Sequence, residues 1–266
     1  MSAAAALVAR VLPQGGGSHA MRLVERNFLV FRRSRGWLVI LSGFFEPLLY
    51  LAGIGFGVGA LIGSVGGLRY SVFVAPALMA TSAMNGAINE STFNLFYKLR
   101  YLKLYDTVLA TPLGILDIAI GEVTWALMRS AAYSVSFVVV MAALGLIVSP
   151  WAALAAPAAL LISIGFAGVG VLTTTFMRSW QDFASVQIVL LPLFLFSATF
   201  YPITAYPSGL RTVVELTPLY RGVHMLRALT TGDITWMLLL DAGYLLAMGA
   251  VCVVLATRRL DRLLLR

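Results

Sequence analysis

Six long apolar runs divide this 266-residue chain, and runs of that length restrict the fold more than any short motif does. They cover roughly 38–62, 71–89, 116–148, 151–176, 184–200 and 234–257, the clean part of the third starting only at Ser130. A helix crossing a bilayer needs about 20 mostly apolar residues. A closed barrel also satisfies its backbone in lipid, but its strands alternate apolar and polar residues. These runs are continuous and rich in Leu, Ala and Val. Charged residues make up only 11% of the chain and the mean hydropathy is +0.92, where a soluble domain carries about 25% charge. The expectation is an all-α membrane protein with six transmembrane helices.

A net charge of +8 raises the question of nucleic acid, but the cations flank the apolar runs, as they do when they set topology. With the N-terminus inside, fourteen of the nineteen Lys and Arg fall in inner segments. Four, Arg69, Arg211, Arg221 and Arg227, fall in outer ones, and Arg129 lies within the third run. Both termini are therefore expected in the cytoplasm, with membrane lipid and not nucleic acid as the neighbour. Residues 1–20 read as a flexible tail, stopped from being a signal peptide by Arg10, and Met21 is an alternative start. Residues 21–36 carry Val24, Phe28 and Phe31 at helical spacing among arginines, which predicts an amphipathic helix on the membrane surface. The single cysteine, Cys252, lies in the last run and reads as a buried structural thiol, so no internal disulfide or cysteine metal cluster is expected.

The segment from Glu90 to Glu122 is too polar to span and too patterned to be a plain linker. Within it Tyr105, Val108 and Leu109 stand at i, i+3 and i+4, Asp106 near the start, and Thr111-Pro112 at the end. That predicts a short cytoplasmic helix with an exposed apolar face, docked in a partner's groove or resting on lipid headgroups.

The run Glu90…Tyr105-Asp106…Leu109-Ala110-Thr111-Pro112-Leu113…Gly121-Glu122 resembles the intracellular loop of type-two ABC export permeases. A second block, Leu191-Pro192…Ser197-Ala198-Thr199-Phe200-Tyr201-Pro202…Thr217-Pro218-Leu219-Tyr220…Gly232, resembles the end of the fifth span and the outer segment of the same family. From Arg22 onward the chain is similar to the permeases of nodulation-factor (lipo-chitooligosaccharide) exporters and related drug-resistance exporters. The resemblance implies a permease domain over 37–266, with a coupling helix at about 103–114 and outer re-entrant helices at about 203–230. It implies ATPase coupling through Tyr105, Asp106, Val108, Leu109, Thr111 and Pro112. It also implies two copies of an ABC ATPase, a second permease, identical or homologous, and a bacterial inner membrane. The expected cargo is amphipathic, lipid-linked, glycolipid or drug-like. Ala198 stands where relatives often carry Gly, and Asp106 where broader relatives carry Glu.

The chain has no P-loop, since Lys98 and Lys103 follow Tyr97 and Leu102 and not glycine. No bound cofactor is expected, ATP and Mg²⁺ belonging to the partner ATPase. Glu46, before Pro47, lies about 13 Å past Trp37 along a helix, near the bilayer midplane. An ionised group costs roughly 2.5–3.5 kcal/mol there. It reads either as a group on the translocation path or dimer seam, with Tyr50, Phe194 and Phe196, or as a hydrogen-bonded packing residue. Gly53/Gly57 and Gly55/Gly59 have the spacing of close helix packing. Glu122 and Arg129, two turns apart, are expected to form a structural ion pair, and His224 with Arg221 and Arg227 an interfacial cluster. No metal site is expected. Two other functions stay open: a proton-coupled secondary transporter using Glu46, and an intramembrane enzyme acting on a lipid-linked glycan. The latter needs clustered acids, and the acids here are dispersed along the chain.

Overall fold

A computed structural model describes residues 19–33, 45 and 48–264. Glu46, Pro47, Phe44 and Trp37 lie outside them. Ten helices and one 3-10 turn, Ile203–Ala205, form among the described residues; the helices in order are α1 Ala20–Arg33, α2 Leu48–Ile62, α3 Tyr70–Tyr101, α4 Leu104–Leu109, α5 Ile115–Ala143, α6 Pro150–Thr174, α7 Asp182–Leu195, α8 Ser208–Leu216, α9 Pro218–Thr231 and α10 Met237–Leu264. One hairpin, β1 Ser64–Val65 and β2 Leu68–Arg69, joins α2 to α3. Its turn is Gly66-Gly67, both at positive φ, which a two-residue hairpin turn requires.

Four helices, α3, α5, α6 and α10, are long and apolar enough to cross a membrane. The second apolar run was expected to end at Asn89. Instead α3 continues to Tyr101, its last turns wound with the wider π spacing over Glu90–Asn94 and Tyr97–Tyr101. Buried threonine and serine hydroxyls bonded back to the preceding turn accompany that widening: Ser91 to Ala87, and Thr92 to Ile88. At 1.5 Å per residue the 32 residues of α3 are about 48 Å long, enough to run from one membrane face past the other.

Helix ends follow local chemistry. Ser149 accepts the amide of Trp151 ahead of α6, with Pro150 in the first turn. Thr217 does the same for Tyr220 ahead of α9, whose Pro218 opens it and whose Gly232 closes it in the left-handed region. Asp117 accepts the amide of Gly114 at the start of α5 and also that of His19, tying α1 to α5.

The hydrophobic core centres on α3, whose apolar stretch is 78% buried against 17% for α10. α3 and α5 both pack on α6, and α10 covers the far side of α6. That last contact is close because it is made by glycine: a Cβ on Gly168 would stand 2.7 Å from the Gly249 carbonyl. Of the two small-residue pairs predicted in the first apolar run, Gly55 and Gly59 face α3, where a Cβ would stand 3.5 Å from Ser71 and 3.8 Å from the Tyr70 ring, whereas nothing among the described residues lies within 4 Å of the positions a Cβ would take on Gly53 or Gly57. α1 lies across the first turns of α5, where Gly121 admits Leu23 and the Ala20 carbonyl. Its buried face is Ala20, Leu23, Val24 and Asn27, whereas Phe28, expected in the stripe, is exposed.

Candidate functional site

The short helix α4 starts from Lys103 in the left-handed region, and Thr111 closes it by donating its hydroxyl to the Val108 carbonyl at 2.6 Å. The expectation of an outward apolar face is reversed. Tyr105 and Val108 are buried, at 1% and 8% exposure, and Leu109 packs partly against the core. Thr107, Ala110, Thr111 and Pro112 are the exposed residues. The reason is polar as much as apolar: the Tyr105 hydroxyl donates to Glu122 Oε1 at 3.0 Å. Burial and the neighbouring carboxylate push the Tyr105 hydroxyl well above the ordinary tyrosine range, so it stays protonated as a donor.

Glu122 is the hub of that junction. Lys98 Nζ lies 2.7 Å and 2.9 Å from its two oxygens, and both side chains are buried. Lys98 also donates to Asn27 Oδ1 at 3.3 Å, and Asn27 Nδ2 reaches Glu122 at 3.5 Å. One buried pair therefore joins α1, α3, α4 and α5. This corrects the expected Glu122–Arg129 pair. Arg129 instead pairs with Glu90, which also accepts from Trp125 Nε1 at 3.1 Å and from Asn94. The wide turns of α3 bring Glu90 and Lys98 to face α5, so each α5 charge finds its partner across the helix pair and not along its own helix.

Between α3 and α5 lies a cavity of about 520 Å³. Ser82, Asn85 and Asn89 line it from α3, Arg129 and Tyr133 from α5, and Trp180 from the α6–α7 loop. Trp180 belongs to an aromatic group in which Phe93 stacks on Phe183 at 4.0 Å and Trp180 meets Phe96 at 5.3 Å. That loop is tied down by Asp182, which accepts the amides of Arg178 and Ser179 at 2.6 and 3.0 Å.

At the opposite end of α3, Arg227 of α9 donates to the carbonyls of Phe73 and Ala198 at 3.3 and 2.9 Å and lies 3.9 Å from the Phe73 ring centre. Ala198 adopts φ 55°, the conformation glycine favours. Arg221 and His224 do not cluster with Arg227; both reach the fully buried Asp241 of α10, at 3.0 and 2.6 Å.

Of the other sequence candidates, Glu46 lies outside the described residues and nothing is described of the Asp106 side chain. Tyr50 is exposed on α2, Phe194 packs edge-on against Phe200, and Phe196 approaches Tyr206. No ring contact among the described residues joins Tyr50 to Phe194 or Phe196. Cys252 is partly buried and free. No group of three His, Cys, Asp or Glu able to hold a metal forms among the described residues. Sequence reasoning missed Asn27, Lys98 and Trp180 as parts of the site. The signal for the first was a lone polar residue on the buried stripe of α1.

Residues 19–230 match the ABC-2 type transporter family. Nodulation protein J of Rhizobium leguminosarum bv. trifolii is 30% identical over 255 residues, covering 95% of this chain and 96% of that protein. Nodulation protein J of Rhizobium meliloti (strain 1021) is 29% identical over 91% of this chain and 92% of its own length. That of Bradyrhizobium diazoefficiens is 28% identical over 76% and 78%.

Proposed function

The chain belongs to the ABC-2 type transporter family, and we propose that it is the membrane half of an exporter driven by a separate ABC ATPase. Six spans are proposed, the shorter helices α2 and α7 serving as the first and fifth beside the four long ones. Both termini lie in the cytoplasm, in keeping with the bias of cations, and the membrane is the bacterial inner membrane. Two ATPase chains supply ATP and Mg²⁺ chemistry to a pair of permeases, identical or homologous. The cargo is an amphipathic molecule taken from the inner leaflet. The relatives' name, nodulation protein, and the resemblance to nodulation-factor exporters favour a lipid-linked glycan.

The observation that carries the coupling assignment is the seating of α4. Its inner face is anchored to Glu122, while Thr107, Ala110, Thr111 and Pro112 stay uncovered for a partner. A push on that face passes through one buried joint to α1, α3 and α5 at once, which is how a small docking helix biases a two-state bundle.

The test is a mild-detergent pull-down of the tagged chain from its native membranes, after crosslinking. An ABC ATPase bearing a P-loop is expected with the wild type and lost with Ala110→Arg and Thr107→Arg, which leave the anchored face untouched. Wild-type chain recovered without any ATPase would overturn the reading in favour of an ion-driven carrier.

A further inference from the structure

We propose that the cavity between α3 and α5 seats the uncharged polar head of a membrane-anchored amphiphile, a hydroxyl- and amide-bearing glycan head in chemical terms, while its chain lies in the adjoining apolar groove. The proposal rests on the exporter reading and adds a location and a charge preference to it.

Carboxamides carry the first part of the argument. Ser82, Asn85 and Asn89 follow one another at i, i+3 and i+7 and share one face of α3. Asn85 and Asn89 stand about 22 and 28 Å along a helix that begins at Tyr70, which puts Asn85 within the roughly 30 Å of a bilayer's hydrocarbon and Asn89 at its edge. Neither side chain has a hydrogen-bond partner among the described residues. Each offers two donors and an acceptor. A polar wall at that depth must face water or a polar ligand, because hydrocarbon satisfies none of it.

Charge supplies the second part. The only ionisable acid and base that line the cavity, among the described residues, are Glu90 and Arg129, and they are paired with each other. Trp125 takes a further Glu90 lone pair. The wall therefore offers hydrogen bonds and no net charge. An anionic head would meet Glu90 without a free cation to balance it, and a cationic head would meet Arg129.

Shape supplies the third. The volume of about 520 Å³ falls within the range of about 300–1,000 Å³ that holds a ligand of several rings. Tyr97 and Trp180 line the cavity at 46% and 42% exposure, Tyr97 stacked on Tyr101 and Trp180 on Phe183, and supply aromatic surface for contact with the apolar face of a sugar ring. A narrow apolar groove of about 170 Å³ lined by Phe28, Phe31, Trp125 and Met128 shares Arg129 and Tyr133 with the cavity. Polar and apolar compartments thus meet at one pair of side chains, as the two halves of an amphiphile require.

The test uses the full chain in neutral-lipid nanodiscs and an uncharged dodecyl tetrasaccharide carrying a diazirine on its terminal sugar. Photolabelling is expected within 82–97, 129–133 and Trp180, with at least tenfold weaker binding of the sulfated tetrasaccharide. Asn85→Leu with Asn89→Leu is expected to lose at least tenfold. Asn85→Ser with Asn89→Ser, which keeps hydrogen-bonding groups and reports on folding, is expected to stay within about threefold. Labelling elsewhere, equal binding of the sulfated probe, or unchanged binding by the leucine variant would overturn the proposal. ATPase pull-down run in parallel separates the two readings: ATPase recovered without cavity labelling removes the site alone, and cavity labelling without ATPase removes the ATP-driven reading alone.

Discussion

At the α4 end of α3, Lys98 meets Glu122 in a buried pair 2.7 Å apart, with Tyr105 and Asn27 filling the remaining valences. At the other end, Arg227 meets no carboxylate among the described residues and rests on two backbone carbonyls and the face of Phe73. Burial pulls its guanidinium down to about 10, still charged near neutrality. The first arrangement needs both partners, since removing either strands a charge where water is scarce. The second loses only neutral acceptors when the cation leaves, because a carbonyl without a donor costs far less than an unpaired ion. One end is therefore built as a rigid joint, under the docking helix, and the other as a latch that can open at modest cost, beside the α8–α9 hairpin.

The largest effect should come from breaking the joint. Glu122→Leu leaves Lys98 buried and unpaired, and should cost about 3–5 kcal/mol. Adding Lys98→Met should return most of that loss, because two apolar side chains of similar size need no counter-ion. Unfolding titrations in mixed micelles read both values. Equal losses for the single and double variants would mean that the pair does not act as a unit.

Breaking the latch should cost less. Arg227→Met removes a cation–π contact worth roughly 0.5–2 kcal/mol and two bonds to carbonyls, but also relieves the guanidinium of its desolvation. A net loss of about 1–2 kcal/mol is expected in the same titration. A loss as large as that of Glu122→Leu would erase the distinction between the two ends.

How much of this could be read in the sequence depends on the length over which a signal is averaged. The apolar runs at 71–89, 116–148, 151–176 and 234–257 each average many residues, and each corresponds to a helix long and apolar enough to span. The ends of α6 and α9 also follow local chemistry, in Ser149-Pro150 and Thr217-Pro218…Gly232, although no helix boundary was predicted from those residues. The facing of α4 was not. Its i, i+3, i+4 stripe is the same whether it points into a partner or into its own chain, and only Glu122, seventeen residues on from Tyr105, decides it. Ion pairing failed for a related reason. Glu122 and Arg129 share a face of α5, yet each has a nearer opposite charge on α3, placed there by wide turns that no periodicity announces.

The smallest expected effect tests the latch from its other side. Ala198, fully buried, holds φ 55° so that its carbonyl points at Arg227. A left-handed alanine costs about 1–2 kcal/mol relative to its usual conformation. Ala198→Gly removes that cost, but the freer unfolded chain takes back roughly 0.5–1 kcal/mol, and the lost methyl takes back up to about 0.8. The terms nearly cancel, so thermal unfolding of Ala198→Gly should shift stability by no more than about 0.5 kcal/mol. The turn itself should persist, since Ser197 bonds to the Phe194 carbonyl at 3.0 Å and to the Thr199 hydroxyl at 2.8 Å independently of residue 198. Ala198→Val, whose branched side chain tolerates this region poorly, should lose more and should take most of the Arg227 contribution with it. If valine and Arg227→Met instead add without overlap, the turn and the arginine are not one latch, and the weaker end of α3 is held by packing alone.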